Sequence, residues 1–237
     1  MNTVNGRISM NVRSVKPLYS ITPFTLLDYP DKTACILWFA GCNMRCLYCY
    51  NTEIVLGKGR LSFEDAFQFL ASRRGLLDGV VLSGGECTMH KGLFPFIEKI
   101  KGMGFSVKID TNGSDPVLLR QLTQGQLADY IALDFKALQA GFWEVTRSDL
   151  FLKFEESLLH LISSGVAFEV RTTVHSGLIP EKDFVAMVHY LQSVNYRGNY
   201  YVQHFMNGVP TLGELEPAYR ELGRKDLSVP GVNVVYR

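Results

Sequence analysis

Short apolar runs of strand-forming residues alternate along the chain with longer amphipathic segments. This alternation predicts helices between strands. Helices are predicted at 62–73, where Ser62 to Asp65 resembles a capping box, at 92–101 and at 149–163. Two more helices are predicted to begin at 115–116 and at 180–181. Strands are predicted at 33–40, 79–82, 106–110, 130–135, 167–174 and 200–205.

Strands that alternate with helices predict a parallel sheet with right-handed crossovers. Six such units are fewer than the eight of a closed (β/α)8 barrel. We therefore expect an α/β fold, a partial, laterally open (β/α)6 barrel, in one domain over residues 1–237. Residues 1–20 are expected to be a flexible or strand-forming extension, and residues 213–237 a C-terminal helix and tail.

Composition excludes several classes of function. The chain has 237 residues, of which 47% are apolar, and a formal net charge of +1, so it can bury a large core but lacks the basic excess of a nucleic-acid-binding surface. No run of about 18 apolar residues is present to cross a membrane. The N-terminus has no apolar signal-peptide core. We expect a cytoplasmic protein, with no nucleic-acid or membrane partner.

Three of the five cysteines lie within eight residues, at Cys42, Cys46 and Cys49. An odd total and this crowding argue against disulfides. Three thiolates on one loop can bind three irons of a [4Fe–4S] cluster, which usually takes four cysteines, so one iron would remain open to another ligand. A structural zinc site would normally add a fourth Cys or His at short spacing, and the nearest histidine in sequence is His90.

Polar or glycine residues follow or end each predicted strand. In parallel β/α folds the functional groups converge at these carboxyl ends. A shared site is therefore expected from the cysteine loop, Ser83 to Glu86, Asp110 to Gly113, Asp134 to Lys136, Arg171 to Thr173, and Gln203 with His204.

The cysteine spacing resembles that of the radical S-adenosylmethionine (SAM) superfamily. The resemblance implies a [4Fe–4S] cluster on Cys42, Cys46 and Cys49. The resemblance further implies that the open iron binds the amine and carboxylate of SAM and that SAM is cleaved reductively to a 5′-deoxyadenosyl radical. It also implies cofactor-binding roles for Tyr48 near adenine, for Gly84, Gly85 and Glu86 at the methionyl amine, for Asp110, Asn112, Asp134 and Lys136 at the cofactor or a nearby cation, for Arg171 at the carboxylate, and for His204 near the adenosyl group.

Each of these residues also has a structural interpretation. The two glycines could simply form a turn, the charged residues could form ion pairs, and His204 could be a core histidine with satisfied hydrogen bonds. Cys87 stands where relatives usually have proline, and it is either a small core residue or a thiol beside the cofactor.

The segment from Leu26 to Pro30 and the residues around the cysteines resemble activating proteins of anaerobic ribonucleoside-triphosphate reductase and pyruvate formate-lyase activating enzyme. That branch implies hydrogen abstraction from a glycine of a partner glycyl radical enzyme, with an electron donor such as flavodoxin or ferredoxin. Relatives often have His and then Asn-Pro after the last cysteine, whereas this chain has Tyr50, Asn51 and Thr52. A radical enzyme acting on a small molecule, similar to 7-carboxy-7-deazaguanine synthase, and a non-catalytic metal-binding module remain alternatives.

Overall fold

The computed structural model describes residues 16–219 and 227–237. One sheet of eight strands runs in chain order from β1 to β8. The β1–β2 pair is antiparallel and every later pair is parallel. The strands are β1 Leu18–Thr25, β2 Ala34–Phe39, β3 Gly79–Gly84, β4 Ser106–Thr111, β5 Tyr130–Asp134, β6 Ala167–Val174, β7 Gly198–His204 and β8 Val232–Tyr236.

Helices connect the parallel strands. They are α1 Thr52–Leu56, α2 Phe63–Ala71, α3 Leu93–Gly102, α4 Pro116–Gln124, α5 Gln139–Thr146, α6 Phe151–Ser164 and α7 Glu181–Ser193, with a 3-10 turn at Cys87–Met89. The predicted capping box forms, because Ser62 Oγ accepts from Asp65 N–H and the Asp65 carboxylate accepts from Ser62 N–H. Asp115 caps α4 ahead of Pro116, as its sequence predicts.

The predicted fold class is confirmed, and the six predicted strands are β2 to β7. The sheet is open at the side, since β1 and β8 each pair with one neighbour among the described strands. Helices α1 and α5 were not predicted, and neither were the edge strands β1 and β8.

The expectation for the two chain ends is corrected in part. Within residues 213–237, residues 213–219 form no helix, and residues 232–236 are a strand parallel to β7. Residues 220–226, and residues 1–15 of the expected extension, lie outside the described part. Residues 18–20 belong to β1. The single-domain division stays a prediction.

The two faces of the sheet have different chemistry. One face packs under the helices in an apolar core that includes Leu37, Leu82, Ile109, Leu133 and Val202. Because side chains alternate along a strand, the residues between these point to the opposite face, which carries the charged groups of β4, β5 and β6. Among the described residues, no helix is both long enough and apolar enough to cross a bilayer.

Candidate active site

The three cysteines lie on an irregular loop directly after β2 and line one cavity. Cys46 is buried, with 7% of its surface exposed, whereas Cys42 and Cys49 are partly exposed. None of the three forms a disulfide. Met44 N–H donates to Cys42 Sγ at 3.4 Å. The loop therefore presents three free thiols to the same space.

Two distant segments fix the backbone of the cysteine loop. At the end of α5, the carbonyls of Thr146 and Val145 accept from the N–H groups of Arg45 (2.8 Å) and Leu47 (3.0 Å). After β7, two backbone N–H groups donate to carbonyls of the loop, one of them the carbonyl of Leu47. A loop without regular structure thus has its peptide groups satisfied by tertiary contacts.

Burial raises the pKa of the Cys42 thiol to about 12 and that of Cys46 to about 11, although Lys136 acts in the opposite direction on both. A metal must displace the protons of such thiols, so binding of iron would release protons.

The donor set fits a [4Fe–4S] cluster better than a single ion. Within residues 16–219 and 227–237, no group of three or more His, Cys, Asp or Glu side chains is arranged to hold one metal ion. A cluster differs, because each thiolate binds a different iron. The other two cysteines, Cys35 and Cys87, are fully buried and do not line the cavity. Cys87 Sγ instead contacts the Asp110 carbonyl at 3.7 Å.

The turn after β3 packs against the start of the cysteine loop. Gly84 has φ +116°, which favours glycine, and a Cβ on Gly85 would lie 1.7 Å from the Gly41 carbonyl oxygen. Gly85 N–H and Glu86 N–H donate to the carbonyls of Phe39 (2.8 Å) and Gly41 (2.9 Å). The glycines therefore allow two backbone segments to meet, and this contact brings the turn to the cavity wall.

The Glu86 carboxylate is buried and accepts four hydrogen bonds. Oε1 accepts from Thr88 N–H (3.2 Å), Thr88 Oγ1 (2.7 Å) and Thr111 Oγ1 (2.7 Å), and Oε2 accepts from Asn112 N–H (2.7 Å). Burial raises the pKa of Glu86, and these donors act in the opposite direction. The side chain joins the turn after β3 to the end of β4, a structural task that the sequence did not indicate.

Five charged side chains of alternating sign form a ladder on the ends of β4, β5 and β6. Asp110 pairs with Lys108 and, at 3.3 Å, with Arg171 Nη2. Arg171 Nε also donates to Asp134, whose second oxygen accepts from Lys136 Nζ at 3.0 Å. Three cations and two anions leave the ladder with one positive charge. The ladder suits an anionic group such as a carboxylate.

The ladder fixes the ionisation of its members. Burial alone would raise the pKa of Asp134, but Arg171 and Lys136 outweigh it and lower the pKa to about 2. The same balance, with Arg171 and Lys108 as the cations, lowers the pKa of Asp110. Burial opposes the charge of Lys136, yet Asp134 raises its pKa well above the ordinary value. Asp110, Asp134 and Lys136 are therefore charged at neutral pH.

Asn112 and Tyr48 are also brought to the cavity. Asn112 Nδ2 donates to Asn43 Oδ1 at 2.9 Å and lies 3.9 Å from Cys42 Sγ. Tyr48 is 3% exposed, and its hydroxyl is buried without a hydrogen-bond partner in the described structure. Burial raises the pKa of this phenol.

Among the residues with a predicted metal- or cofactor-binding role, His204 is the one that does not line the cavity. Its ring stacks on Tyr236 of β8, with centroids 5.7 Å apart. The preceding residue, Gln203, lines the cavity instead, because successive side chains of β7 point to opposite faces. The sequence analysis expected Gln203 in the shared site but gave it no role of its own. Period-two alternation from the buried Tyr200 and Val202 selects Gln203, and not His204, for the opposite face.

Other cavity-lining residues had no assigned role in the sequence. Ser83 donates from Oγ to Asp110 Oδ2 at 2.9 Å. The remainder are Met44, Tyr50, Asn51, Val55, Thr111 and Thr173. Ser83, Thr111 and Thr173 lie in the polar segments that end the strands, so their position was predictable although their contacts were not.

The radical SAM superfamily model matches residues 36–191, about two thirds of the chain. A protein of Methanocaldococcus jannaschii named as a glycyl-radical enzyme activating enzyme is 32% identical over 173 residues, which cover 69% of this chain and 70% of that protein. Pyruvate formate-lyase 1-activating enzyme of Escherichia coli K12 is 31% identical over 114 residues, 44% of this chain and 45% of the enzyme.

Among solved structures, Streptococcus suis SuiB bound to S-adenosylmethionine superposes with a TM-score of 0.63 at 13% identity, over 85% of this chain and 51% of SuiB. That likeness supports the fold. The chain belongs to the radical SAM superfamily, whose enzymes use a [4Fe–4S] cluster and S-adenosylmethionine, in the branch of glycyl-radical-enzyme activating enzymes.

Proposed function

We propose that this radical SAM enzyme removes a hydrogen atom from a backbone glycine of a partner glycyl radical enzyme, as an activase similar to those of anaerobic ribonucleoside-triphosphate reductase. One observation carries the proposal: three free thiols without a fourth share a cavity with four members of the charged ladder, Asp110, Asp134, Lys136 and Arg171. When bound, the cluster and SAM supply the one-electron chemistry.

The chain's own residues bind and orient in this proposal. Cys42, Cys46 and Cys49 bind three irons. Arg171 and Lys136 attract the cofactor carboxylate, since the ladder keeps both charged and positions them at the cavity wall.

The remaining predicted residues enclose the cofactor. The backbone groups of Gly84 and Gly85 would bind its amine, and Tyr48 would contact its adenine, since all three residues line the cavity. Asp110, Asp134 and Asn112 hold the cations and the cysteine loop in place. Glu86 acts through the hydrogen bonds that join its turn to β4.

The open sheet supports a macromolecular substrate. The described strands do not close into a barrel, since β1 and β8 remain at the two edges. A polypeptide loop can therefore enter between them, whereas a closed barrel would exclude it. The similarity to named activating enzymes favours a protein substrate as well. We also propose an external one-electron donor such as flavodoxin or ferredoxin, and a cytoplasmic location.

The test is an anaerobic incubation of the iron-loaded enzyme with reductant, SAM and a candidate glycyl radical enzyme. We expect a glycyl doublet by electron paramagnetic resonance, lost with Cys46→Ala and retained with the matched variant Cys35→Ala. If 5′-deoxyadenosine forms but no candidate protein gives the doublet, while a small heterocyclic substrate stimulates turnover, the proposal is wrong and the small-molecule alternative is correct.

A further inference from the structure

Residues 205–213, here called the strap, run from the end of β7 back across the cysteine loop. At its far end, Leu212 N–H donates to the Cys49 carbonyl at 3.1 Å and Gly213 N–H donates to the Leu47 carbonyl at 2.8 Å. The strap therefore binds the segment that carries the last two cysteines. It contains no charged residue.

Tyr50 binds the first two residues of the strap, Phe205 and Met206. Its hydroxyl accepts from Met206 N–H at 2.6 Å, and its ring stacks on Phe205 with centroids 5.5 Å apart and planes inclined by 23°. The same tyrosine lines the cavity of the cysteines. It thus connects the strap directly to the candidate active site.

Position 213 requires glycine, because the strap there lies too close to Leu47 for a side chain. A Cβ at this position would lie 2.8 Å from Leu47 Cβ and Cδ2 and 3.0 Å from Leu47 Cα. Real Cβ contacts do not reach 2.8 Å, and the Leu47 backbone cannot yield without moving the cysteine loop. Any larger residue would push the strap away from the loop.

We propose that the strap is a cover on the outer side of the cysteine loop and that Tyr50 and Gly213 are its positioning residues. They hold the strap where it limits access of water and small molecules to the cluster beside Cys49. The inference rests on the cluster and not on the identity of the radical acceptor, so it stands or falls separately from the proposed function.

Solvent access controls the properties of such a cluster. The reduction potential of an iron–sulfur cluster depends on solvent exposure and on nearby hydrogen bonds. Water stabilises the more highly charged state more, since solvation energy grows with the square of the charge. With three thiolates the reduced cluster is the more negative state. A detached strap should therefore make the potential less negative and speed removal of iron.

The test compares Tyr50→Phe and Gly213→Ala with the parent protein, each loaded with iron under anaerobic conditions. Tyr50→Phe removes one oxygen atom and keeps the ring stack, so it preserves the fold. Matched controls are Tyr219→Phe, at an 82% exposed tyrosine, and Gly102→Ala, where a Cβ meets nothing within 4 Å.

We expect hydrogen exchange at Met206 to be about five- to tenfold faster in Tyr50→Phe, the equivalent of one lost hydrogen bond. Iron extraction by a chelator should be several-fold faster in both variants, and the reduction potential less negative. The controls should match the parent. If hydrogen exchange at Met206 is faster but the rate of iron extraction and the reduction potential are unchanged, the strap does not cover the cluster and the inference is wrong. Unchanged hydrogen exchange at Met206 in Tyr50→Phe would also overturn it.

Discussion

Replacement of Glu86 by glutamine separates a structural role of this carboxylate from a cofactor-binding role. Oε2 accepts from Asn112 N–H and Oε1 accepts from Thr88 N–H and two hydroxyls. The amide group of glutamine presents a donor on one side. In either orientation, at least one buried backbone N–H then loses its acceptor.

A buried donor without a partner costs about 1–3 kcal/mol. For a chain of this length each kcal/mol shifts Tm by about 2–4 °C, so we expect Glu86→Gln to lower Tm by about 2–12 °C. The assay is thermal and urea unfolding of the iron-free protein by circular dichroism. Glu98→Gln, on the exposed side of α3, is the matched control and should unfold like the parent.

The reasoning would be refuted by an unfolding free energy equal to that of the parent together with a large loss of SAM affinity in the iron-loaded protein. That result would place the carboxylate on the cofactor rather than between the β3 turn and β4.

Three further predictions follow from the site. Its cationic partners lower the pKa of Asp134 to about 2, from an ordinary 3.8. The ionised carboxylate should therefore contribute about 2 kcal/mol to the free energy of unfolding above about pH 5, and this contribution should be lost as the pH falls toward 2. Asp134→Asn should remove that part of the acid dependence, measured by urea unfolding between pH 2 and 7. Cys46→Ala should lose the cluster and Cys87→Ala should keep it, measured as iron and sulfide content; loss of iron from Cys87→Ala would show that the fourth position is not open. His204→Phe should leave the dissociation constant for SAM within about twofold of the parent. Gln203→Ala should raise that constant about fivefold, which corresponds to the loss of one hydrogen bond of about 1 kcal/mol. The reverse order, measured by equilibrium dialysis, would contradict the placement of β7.

Strands β2 and β3 were predictable because each is a nearly continuous apolar run. Strands β4 and β6 were predictable because apolar residues alternate in them with polar or charged ones, which is typical of a strand with one apolar face. The edge strands were not. Leu18–Thr25 contains Pro23, and Val232–Tyr236 is short; each is a strand because it pairs with a neighbour that sequence does not specify. Helix α5 was missed since Gln139–Thr146 includes Gly141 and has weak amphipathic character.

The location of the site was predictable from one rule, that polar residues at the carboxyl ends of parallel strands converge. The contacts were not, because they join residues far apart in the chain. The donors to Glu86 lie as much as 26 residues away, and the strap that binds the cysteine loop lies more than 150 residues from it. His204 does not line the cavity for a local reason, since a shift of one residue along a strand reverses the face, and its role stays a prediction.

Cys42, Cys46 and Cys49 are proposed to bind three irons of a four-iron cluster and to leave the fourth open for SAM. Mössbauer spectroscopy of protein loaded with 57Fe, with spectra recorded before and after SAM is added, tests this arrangement. We expect four irons per chain, of which one changes its signal on SAM binding. A chain that takes up no four-iron cluster, or a cluster in which no iron responds to SAM, would contradict it.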